Sequence, residues 1–315
     1  MPTEPVITYV QALLLGLIQG ITEFLPVSST AHMRIASQLL YGTDAGAAFS
    51  AVAQLGPIVA IVAYFRKDLG KYAAGVLRTK SPKGIPADDI DARLGWFTLL
   101  GTLPLMVFGV LLEKKIDTSF RSLYLTAFSL IGLALVLIWA EIVGKKNINI
   151  KALTFKQSQV IGWAQVLALV PGASRSGVTI TAGLFTGLDR GSAARFSFLL
   201  SIPAITAAGL YKLAKVAIKD HGFGHQLGPY LLAAVVAAAV AYVVVNWFLK
   251  FMYKHTTVGF ILYRIVLGAG LLILLQSGEI KAQPNEPSTS GQVLKQLRHG
   301  HDFVAPAPNA LNNHV

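Results

Sequence analysis

The chain of 315 residues contains no cysteine, and only 13% of its residues are charged. The missing cysteines exclude disulfide bonds and thiolate metal sites. The low charged fraction excludes an ordinary soluble domain, in which about a quarter of the residues are charged. What is present instead is apolar, because 54% of the residues are hydrophobic and the mean hydropathy is +0.58. The composition therefore predicts a membrane protein.

The hydrophobic residues fall into eight blocks, most of them about as long as the ~20 residues that a helix needs to cross the hydrocarbon of a bilayer. The blocks span 6–41, 47–65, 94–112, 121–144, 158–187, 196–214, 229–249 and 258–276. The first and fifth are broken by proline, glycine and serine, so each is expected to form a re-entrant hairpin whose bend is buried in protein. We therefore predict an all-α polytopic membrane protein with six transmembrane helices and two re-entrant helical hairpins.

The two broken blocks resemble each other. Gly16-Leu17-Ile18-Gln19 precedes the first break, and Gly162-Trp163-Ala164-Gln165 precedes the second. Each half, about 6–144 and 158–276, then contains one hairpin and three spans, and an odd number of spans forces the second copy to be inverted. Inverted repeats with broken helices build binding sites near the membrane midplane.

The apolar pattern ends at residue 276. Residues 277–315 are polar and rich in Pro, Ser, Asn and Gln, a composition that cannot bury a core. We predict a membrane-embedded catalytic domain over residues 1–276, followed by a disordered tail.

The net charge of +12 indicates membrane topology, not nucleic-acid binding. Lysine and arginine concentrate in loops on one face of the predicted bundle, and such loops are cytoplasmic. These loops are 66–93, 145–157, 188–195 and 250–257. The first hairpin is thus expected to enter from the outer face of the membrane.

The first break holds polar residues that are costly at membrane depth and usually functional there. Gln19 and Glu23 lie four apart, on one helix face, where a carboxylate and an amide oxygen could hold a divalent cation such as Mg²⁺ or Ca²⁺. A purely structural buried glutamate is the alternative.

Three hydroxyls follow Glu23. Ser28, Ser29 and Thr30 are expected to open a second helix, whose N-terminus can bind phosphate. His32 follows Ser29 by three residues and could activate a serine, protonate a leaving group or accept a phosphoryl group itself.

The second break places an arginine among small residues. The guanidinium of Arg175 needs an anion at this depth, and it can clamp two phosphate oxygens. An ion pair with Glu23 is the alternative partner. The expected supporting donors are Gly172, Ser174, Ser176 and Gly177. Arg264, by contrast, is expected to reach the interface from a helix end.

Together the two motifs resemble the bacterial undecaprenyl-diphosphatase family of the bacitracin-resistance type, over about residues 6–276. The resemblance rests on Gln19-x-x-x-Glu23, on Phe24-Leu25-Pro26-Val27-Ser28-Ser29-Thr30 with His32, and on Pro171-Gly172-Ala173-Ser174-Arg175-Ser176-Gly177. Many members carry glutamate where this chain has Gln19, and glycine where it has Ala31.

The resemblance implies hydrolysis of undecaprenyl diphosphate to the monophosphate and inorganic phosphate, which recycles the lipid carrier for cell-wall synthesis. It also implies a divalent cation, a homodimer in many cases, and a site that faces the outer side of the bacterial plasma membrane. By position, Glu23 and Gln19 would hold metal or position water, Ser29 or His32 would be the nucleophile, and Arg175 would clamp the diphosphate. The alternative function is an inverted-repeat transporter or flippase of a phosphorylated lipid or anion, which needs an anion site but no nucleophile.

Overall fold

The computed structural model of the protein describes residues 6–42, 44–117, 120, 122–219 and 226–282. These residues form α-helices and short 3-10 turns, with one isolated bridge between Ile148 and Leu188 and no strand of greater length. The prediction of an all-α protein is confirmed. The α-helices are α1 (Tyr9–Thr22), α2 (Ser29–Tyr41), α3 (Ala47–Ala53), α4 (Leu55–Thr79), α5 (Ile90–Leu111), α6 (Glu113–Asp117), α7 (Leu123–Val143), α8 (Phe155–Ala164), α9 (Arg175–Phe185), α10 (Arg190–Lys219), α11 (Leu227–Lys254) and α12 (Val258–Gln276).

Six helical stretches in the described part of the chain are long and apolar enough to cross a membrane, as predicted. They are Ala48–Thr79, Ile90–Leu111, Leu123–Val143, Arg190–Ala214, Leu227–Lys254 and Val258–Gln276. Their outward faces are apolar: Val110, Ile142 and Val266 are each more than two-thirds exposed. Such faces suit lipid, because hydrocarbon replaces the water that a soluble protein would meet there.

The two broken blocks form pairs of short helices. The first pair is α1 and α2, with 14 and 13 residues. The second pair is α8 and α9, with 10 and 11 residues, and a 3-10 turn over Gln165–Leu169 ends its first arm. Helices of these lengths are too short to cross a bilayer reliably. Their lengths agree with re-entrant hairpins, which remain a prediction.

The first arm of each hairpin packs against the second spanning helix of the other half. Helix α1 meets α11 at Gly16, where an added Cβ would lie 2.6 Å from the carbonyl oxygen of Ala233. Helix α8 meets α5 at the corresponding Gly162, where an added Cβ would lie 2.3 Å from the carbonyl oxygen of Gly101. Only glycine allows these backbone approaches. The two halves are therefore interlocked, and both hairpin bends lie between them.

The chain continues to pack just beyond the last spanning helix. Ile280 is 2% exposed in a cluster with Leu123, and the Leu123 amide donates to the carbonyl oxygen of Ala282 at 2.9 Å. The amide of Lys281 donates to Gln38 Oε1 at 3.0 Å. Residues 277–282 thus close one end of the bundle. The rest of the predicted disordered tail lies outside the described residues.

Candidate active site

The two hairpin bends have the same backbone conformation, a serine N-cap with a positive φ. Ser28 and Ser174 both have positive φ, 72° and 65°, and each is the N-cap of the following helix. The Ser28 Oγ accepts from the amide of Ala31 at 3.4 Å, and the Ser174 Oγ accepts from the amide of Gly177 at 3.2 Å. A positive φ is uncommon for serine and turns the chain sharply. Helices α2 and α9 therefore begin at equivalent residues, as the hydroxyl pattern predicted for α2.

Glu23 is the centre of the polar network. Its carboxylate is buried, and its Oε2 accepts from Ser29 Oγ at 2.7 Å and from Gln19 Nε2 at 2.8 Å. Its Oε1 accepts from Arg175 at 2.7 Å. Four predicted site residues are thus brought into one cluster. Three belong to the first hairpin and one to the second, so the cluster exists only where the halves meet.

The Glu23–Arg175 contact is an ion pair, which the sequence left as the alternative to a bound phosphate. The two side chains are 6% and 15% exposed, respectively, so water screens their attraction little. Each charge needs the other, because an unpaired buried charge is strongly unfavourable. Arg175 is therefore held beside Ser29 by the same carboxylate that accepts the hydrogen bond of the serine.

The second bend supplies hydroxyls that tie the hairpins together. Ser176 Oγ donates to the carbonyl oxygen of Leu25 at 2.9 Å and lies 3.2 Å from Ser174 Oγ. Gly172 has a φ of 86°, and an added Cβ there would lie 2.3 Å from the carbonyl oxygen of Thr126. These residues shape the bend and hold it against the first hairpin.

His32 lies apart from Ser29. Its Nδ1 contacts the carbonyl oxygen of Ser28 at 2.8 Å, so this nitrogen carries the proton and donates it. Its Nε2 then accepts from the hydroxyl of Tyr263 at 2.6 Å, and the two rings lie nearly parallel. No hydrogen bond joins His32 to Ser29 in the described network. The serine proton therefore points to Glu23 and not to the imidazole.

Two residues of α12 join the site without a sequence motif to mark them. Tyr263 contacts His32, and the neighbouring Arg264 is 0% exposed. The prediction that Arg264 reaches the interface is wrong, because its guanidinium lies against carbonyl oxygens of both hairpin bends. The missed signal is the charge itself, since a cation inside an apolar 19-residue helix indicates an internal partner.

Two further residues of the hairpins lie outside the cluster. Thr30 is exposed and its hydroxyl makes no hydrogen bond to any described residue, so its contact with a substrate stays a prediction. Gln165, the counterpart of Gln19, is 0% exposed, and neither atom of its amide has a hydrogen-bond partner in the described chain. The second half retains the amide but has Leu169 where the first half has Glu23.

Comparison with known proteins identifies the family. Residues 12–270 match the family described as Bacitracin resistance protein BacA. The chain belongs to the BacA family. Its relatives include three proteins named Undecaprenyl-diphosphatase, from Chloroherpeton thalassium, Pelodictyon phaeoclathratiforme and Mycolicibacterium smegmatis. They are 45%, 46% and 45% identical to it and match 87%, 87% and 88% of this chain and 99%, 99% and 100% of their own lengths.

The site of this chain has groups that suit phosphoryl transfer. Ser29 is a hydroxyl whose proton already points to a carboxylate, as an activated nucleophile requires. Arg175 can bind phosphate oxygens through two parallel hydrogen bonds. The free amides at the starts of α2 and α9 can also donate to an oxyanion.

The protein groups of the site do not form a complete cation site. No group of three His, Cys, Asp or Glu side chains is assembled in the described part of the chain. Gln19 turns its Nε2 toward Glu23, and the charge of Glu23 is already balanced by Arg175. A divalent cation prefers six or more oxygen ligands, so protein atoms alone do not suffice here.

Proposed function

We propose that this chain is an integral-membrane phosphatase that hydrolyses undecaprenyl diphosphate to undecaprenyl phosphate and inorganic phosphate. The observation that carries the proposal is Glu23, which accepts from Ser29 and pairs with Arg175 in one buried cluster. The names of the curated relatives support the substrate. A transporter of the same anion would need Arg175 but not a hydroxyl aimed at a carboxylate.

The proposed reaction begins with Ser29. Its oxygen attacks the terminal phosphorus of the diphosphate while its proton passes to Glu23 Oε2, 2.7 Å away. The new bond from serine oxygen to phosphorus forms as the bridging bond from phosphorus to oxygen breaks, and the lipid monophosphate leaves with the electron pair. Water then attacks the phosphoserine, Ser29 recovers its proton, and inorganic phosphate is released.

Arg175 exchanges partners during this cycle. With no substrate its charge is balanced by Glu23, and with the diphosphate bound its guanidinium turns to the phosphate oxygens. Once Glu23 takes the serine proton, the carboxyl is neutral and no longer attracts Arg175. The arginine is then free to stabilise the negative charge of the transferring phosphoryl group.

We propose that a divalent cation, Mg²⁺ or Ca²⁺, enters together with the diphosphate. The phosphate oxygens would supply the ligands that the protein lacks, and Glu23 and the amide oxygen of Gln19, after its amide turns over, would supply the rest. The cation would neutralise part of the diphosphate charge. No step of the proposed serine chemistry depends on it.

We also propose that the site opens to the outer side of the bacterial plasma membrane. The support is the concentration of Lys and Arg in the loops at the opposite end of the bundle, which predicts that those loops are cytoplasmic. The prenyl chain would lie between helices in the bilayer while the diphosphate reaches Ser29 from outside.

The test is phosphate release from undecaprenyl diphosphate by detergent-purified protein, with and without EDTA. Ser29→Ala should lower the rate at least about 100-fold, because no neighbouring hydroxyl is aimed at Glu23. The matched control is Ser37→Ala, a buried serine of the same helix whose hydroxyl donates to the carbonyl oxygen of Arg34 within that helix. Near-normal release by folded Ser29→Ala would exclude Ser29 as the nucleophile, and no release by wild type would favour the transporter.

A further inference from the structure

Arg264 is the largest fully buried side chain among the described residues. Within the described part of the chain, its guanidinium donates hydrogen bonds only to carbonyl oxygens. Nε donates to Leu130 at 3.3 Å, and Nη2 donates to Ser129 at 3.4 Å, to Gly172 at 3.2 Å and to Ala173 at 3.0 Å. Nη1 donates to Pro26 at 3.5 Å. A side chain with five rigid donors can satisfy acceptors from several directions at once.

The carbonyl oxygens come from three separate parts of the fold. Pro26 belongs to the first hairpin bend, and Gly172 and Ala173 belong to the second. The remaining two belong to α7. Arg264 thus joins the bend that precedes Ser29 to the bend that precedes Arg175, and it fixes both against a spanning helix.

The packing around Arg264 allows little movement. An added Cβ at Gly177 would lie 2.5 Å from its Nη1. Gly177 stands in the first turn of α9, two residues after Arg175. The need for glycine at this position follows from Arg264, which occupies the space that a side chain would take. The start of α9 therefore rests directly on the buried guanidinium.

The charge of Arg264 has no carboxylate partner in the described part of the chain. Glu23 balances Arg175, so Arg264 leaves the buried site with one net positive charge. Carbonyl dipoles stabilise a cation only in part, and an uncompensated buried charge is normally avoided. A charged residue inside a membrane segment is by default a candidate for a functional site, and a lone positive charge suits an anionic ligand.

We propose that Arg264 is a positioning residue that holds the two hairpin bends in register and supplies the excess positive charge that attracts the diphosphate. It does not touch the reacting atoms. It acts through the carbonyl groups of the bends and, over a longer distance, through its charge. The claim that Arg264 attracts the diphosphate rests on the proposed function. The claim that Arg264 fixes the position of one bend relative to the other does not.

The register is tested by the distance between the two hairpins. Because the chain has no cysteine, spin labels can be placed at Leu39→Cys on α2 and Phe185→Cys on α9, both exposed positions. Double electron–electron resonance should give one narrow distribution of the distance between the two labels when Arg264 is present. Arg264→Met should broaden this distance distribution, since the two bends lose the guanidinium to which both are hydrogen-bonded. This measurement needs no substrate, so it tests the register even if the proposed reaction fails.

The charge is tested by kinetics of the same variants in detergent. Arg264→Met should raise KM for the lipid diphosphate and lower kcat, with a loss in kcat/KM of about 100-fold for bends misplaced by an ångström. Arg264→Lys keeps the charge but cannot reach all the carbonyl oxygens. It should restore KM while kcat stays low. A merely structural arginine would reduce the amount of active protein without changing KM.

The matched control is Arg190→Met, which removes an arginine paired with the buried Glu141 at the other end of α7. It should lower thermal stability but leave KM and the label distance as in wild type. A folded Arg264→Met protein with a narrow label distance and unchanged KM would overturn the proposal. So would a KM in Arg264→Lys as high as that in Arg264→Met.

Discussion

The two hairpin bends share a backbone and differ in chemistry. Ser28 and Ser174 have nearly the same φ and ψ and cap helices at equivalent residues. The next position holds a nucleophile candidate in the first bend, Ser29, and a cation in the second, Arg175. The acid that serves both, Glu23, has no counterpart, because Leu169 occupies its place. Each half of the chain therefore supplies a bend of the same shape. The site needs different side chains on the two bends.

The difference explains why neither half can act alone. A carboxylate buried without Arg175 would be strongly destabilised, and Arg175 without Glu23 would be destabilised in the same way. Joining the halves therefore gives each buried charge its counter-charge. The interlocked packing through Gly16 and Gly162 keeps the two bends together.

The strongest way to break the comparison is to remove the positive charge of the second bend. Arg175→Ala should lower kcat/KM by about 100- to 1,000-fold, as the loss of a donor to the developing oxyanion does. It should also lower the free energy of unfolding by about 3–5 kcal/mol, because Glu23 is left buried and unpaired. Phosphate release and thermal unfolding in detergent measure the two effects.

The exchanged double variant, Glu23→Arg with Arg175→Glu, serves as its control. It should recover part of the lost stability because the buried ion pair is restored in reverse. It should recover no activity, since Ser29 then has no carboxylate to receive its proton. Activity in the exchanged protein would mean that the two bends are interchangeable, and the assignment of roles would fail.

The two glutamines sharpen the comparison at a smaller scale. Gln19→Leu should lower kcat/KM about 10-fold, because Glu23 loses a hydrogen bond to its charged form that is worth about 1.5–3 kcal/mol. Gln165→Leu should instead raise the free energy of unfolding by about 1–3 kcal/mol, since it removes a buried amide that has no described partner. Equal effects of the two changes on activity would show that Gln165 has a role in the reaction.

The sequence-based predictions succeeded where a residue's own helix decides its surroundings. The six spans followed from hydrophobic length, and the start of α2 followed from the hydroxyls that can cap it. They failed for Arg264, because its position along α12 said nothing about which neighbours the helix faces. The carbonyl oxygens that bind it belong to residues far away in the chain.

The same limit applies to His32. Its spacing from Ser29 suggested a shared helix face, but hydrogen bonding to Ser28 and Tyr263 turns the imidazole elsewhere. A partner on another helix decides the direction of a side chain, and spacing within one helix cannot reveal it. The ion pair of Glu23 with Arg175, in contrast, could be considered from sequence because both charges needed a partner at that depth.

The two capping serines should respond alike. Ser28→Ala and Ser174→Ala should each lower the free energy of unfolding by about 1 kcal/mol, the usual value of an N-cap. Glycine at either position should cost less, because it also adopts the positive φ without strain. Thermal unfolding of the four variants measures this. A much larger loss at one bend than at the other would mean that the two capping serines do not stabilise their helices equally.

The smallest effect concerns a cap outside the membrane, Asp89 at the start of α5. A hydrogen bond from Arg78 and one from the amide of Ala92 lower the pKa of the Asp89 carboxyl. A lowered folded-state pKa contributes stability above the unfolded pKa of about 3.9, and that stability is lost as the pH falls through the folded value. Asp89→Asn should therefore slightly lower the unfolding temperature at pH 7 and pH 5, and the difference from wild type should shrink as the pH falls below about 3.9. The loss in Ser28→Ala, whose hydroxyl does not titrate, should be the same at all three pH values.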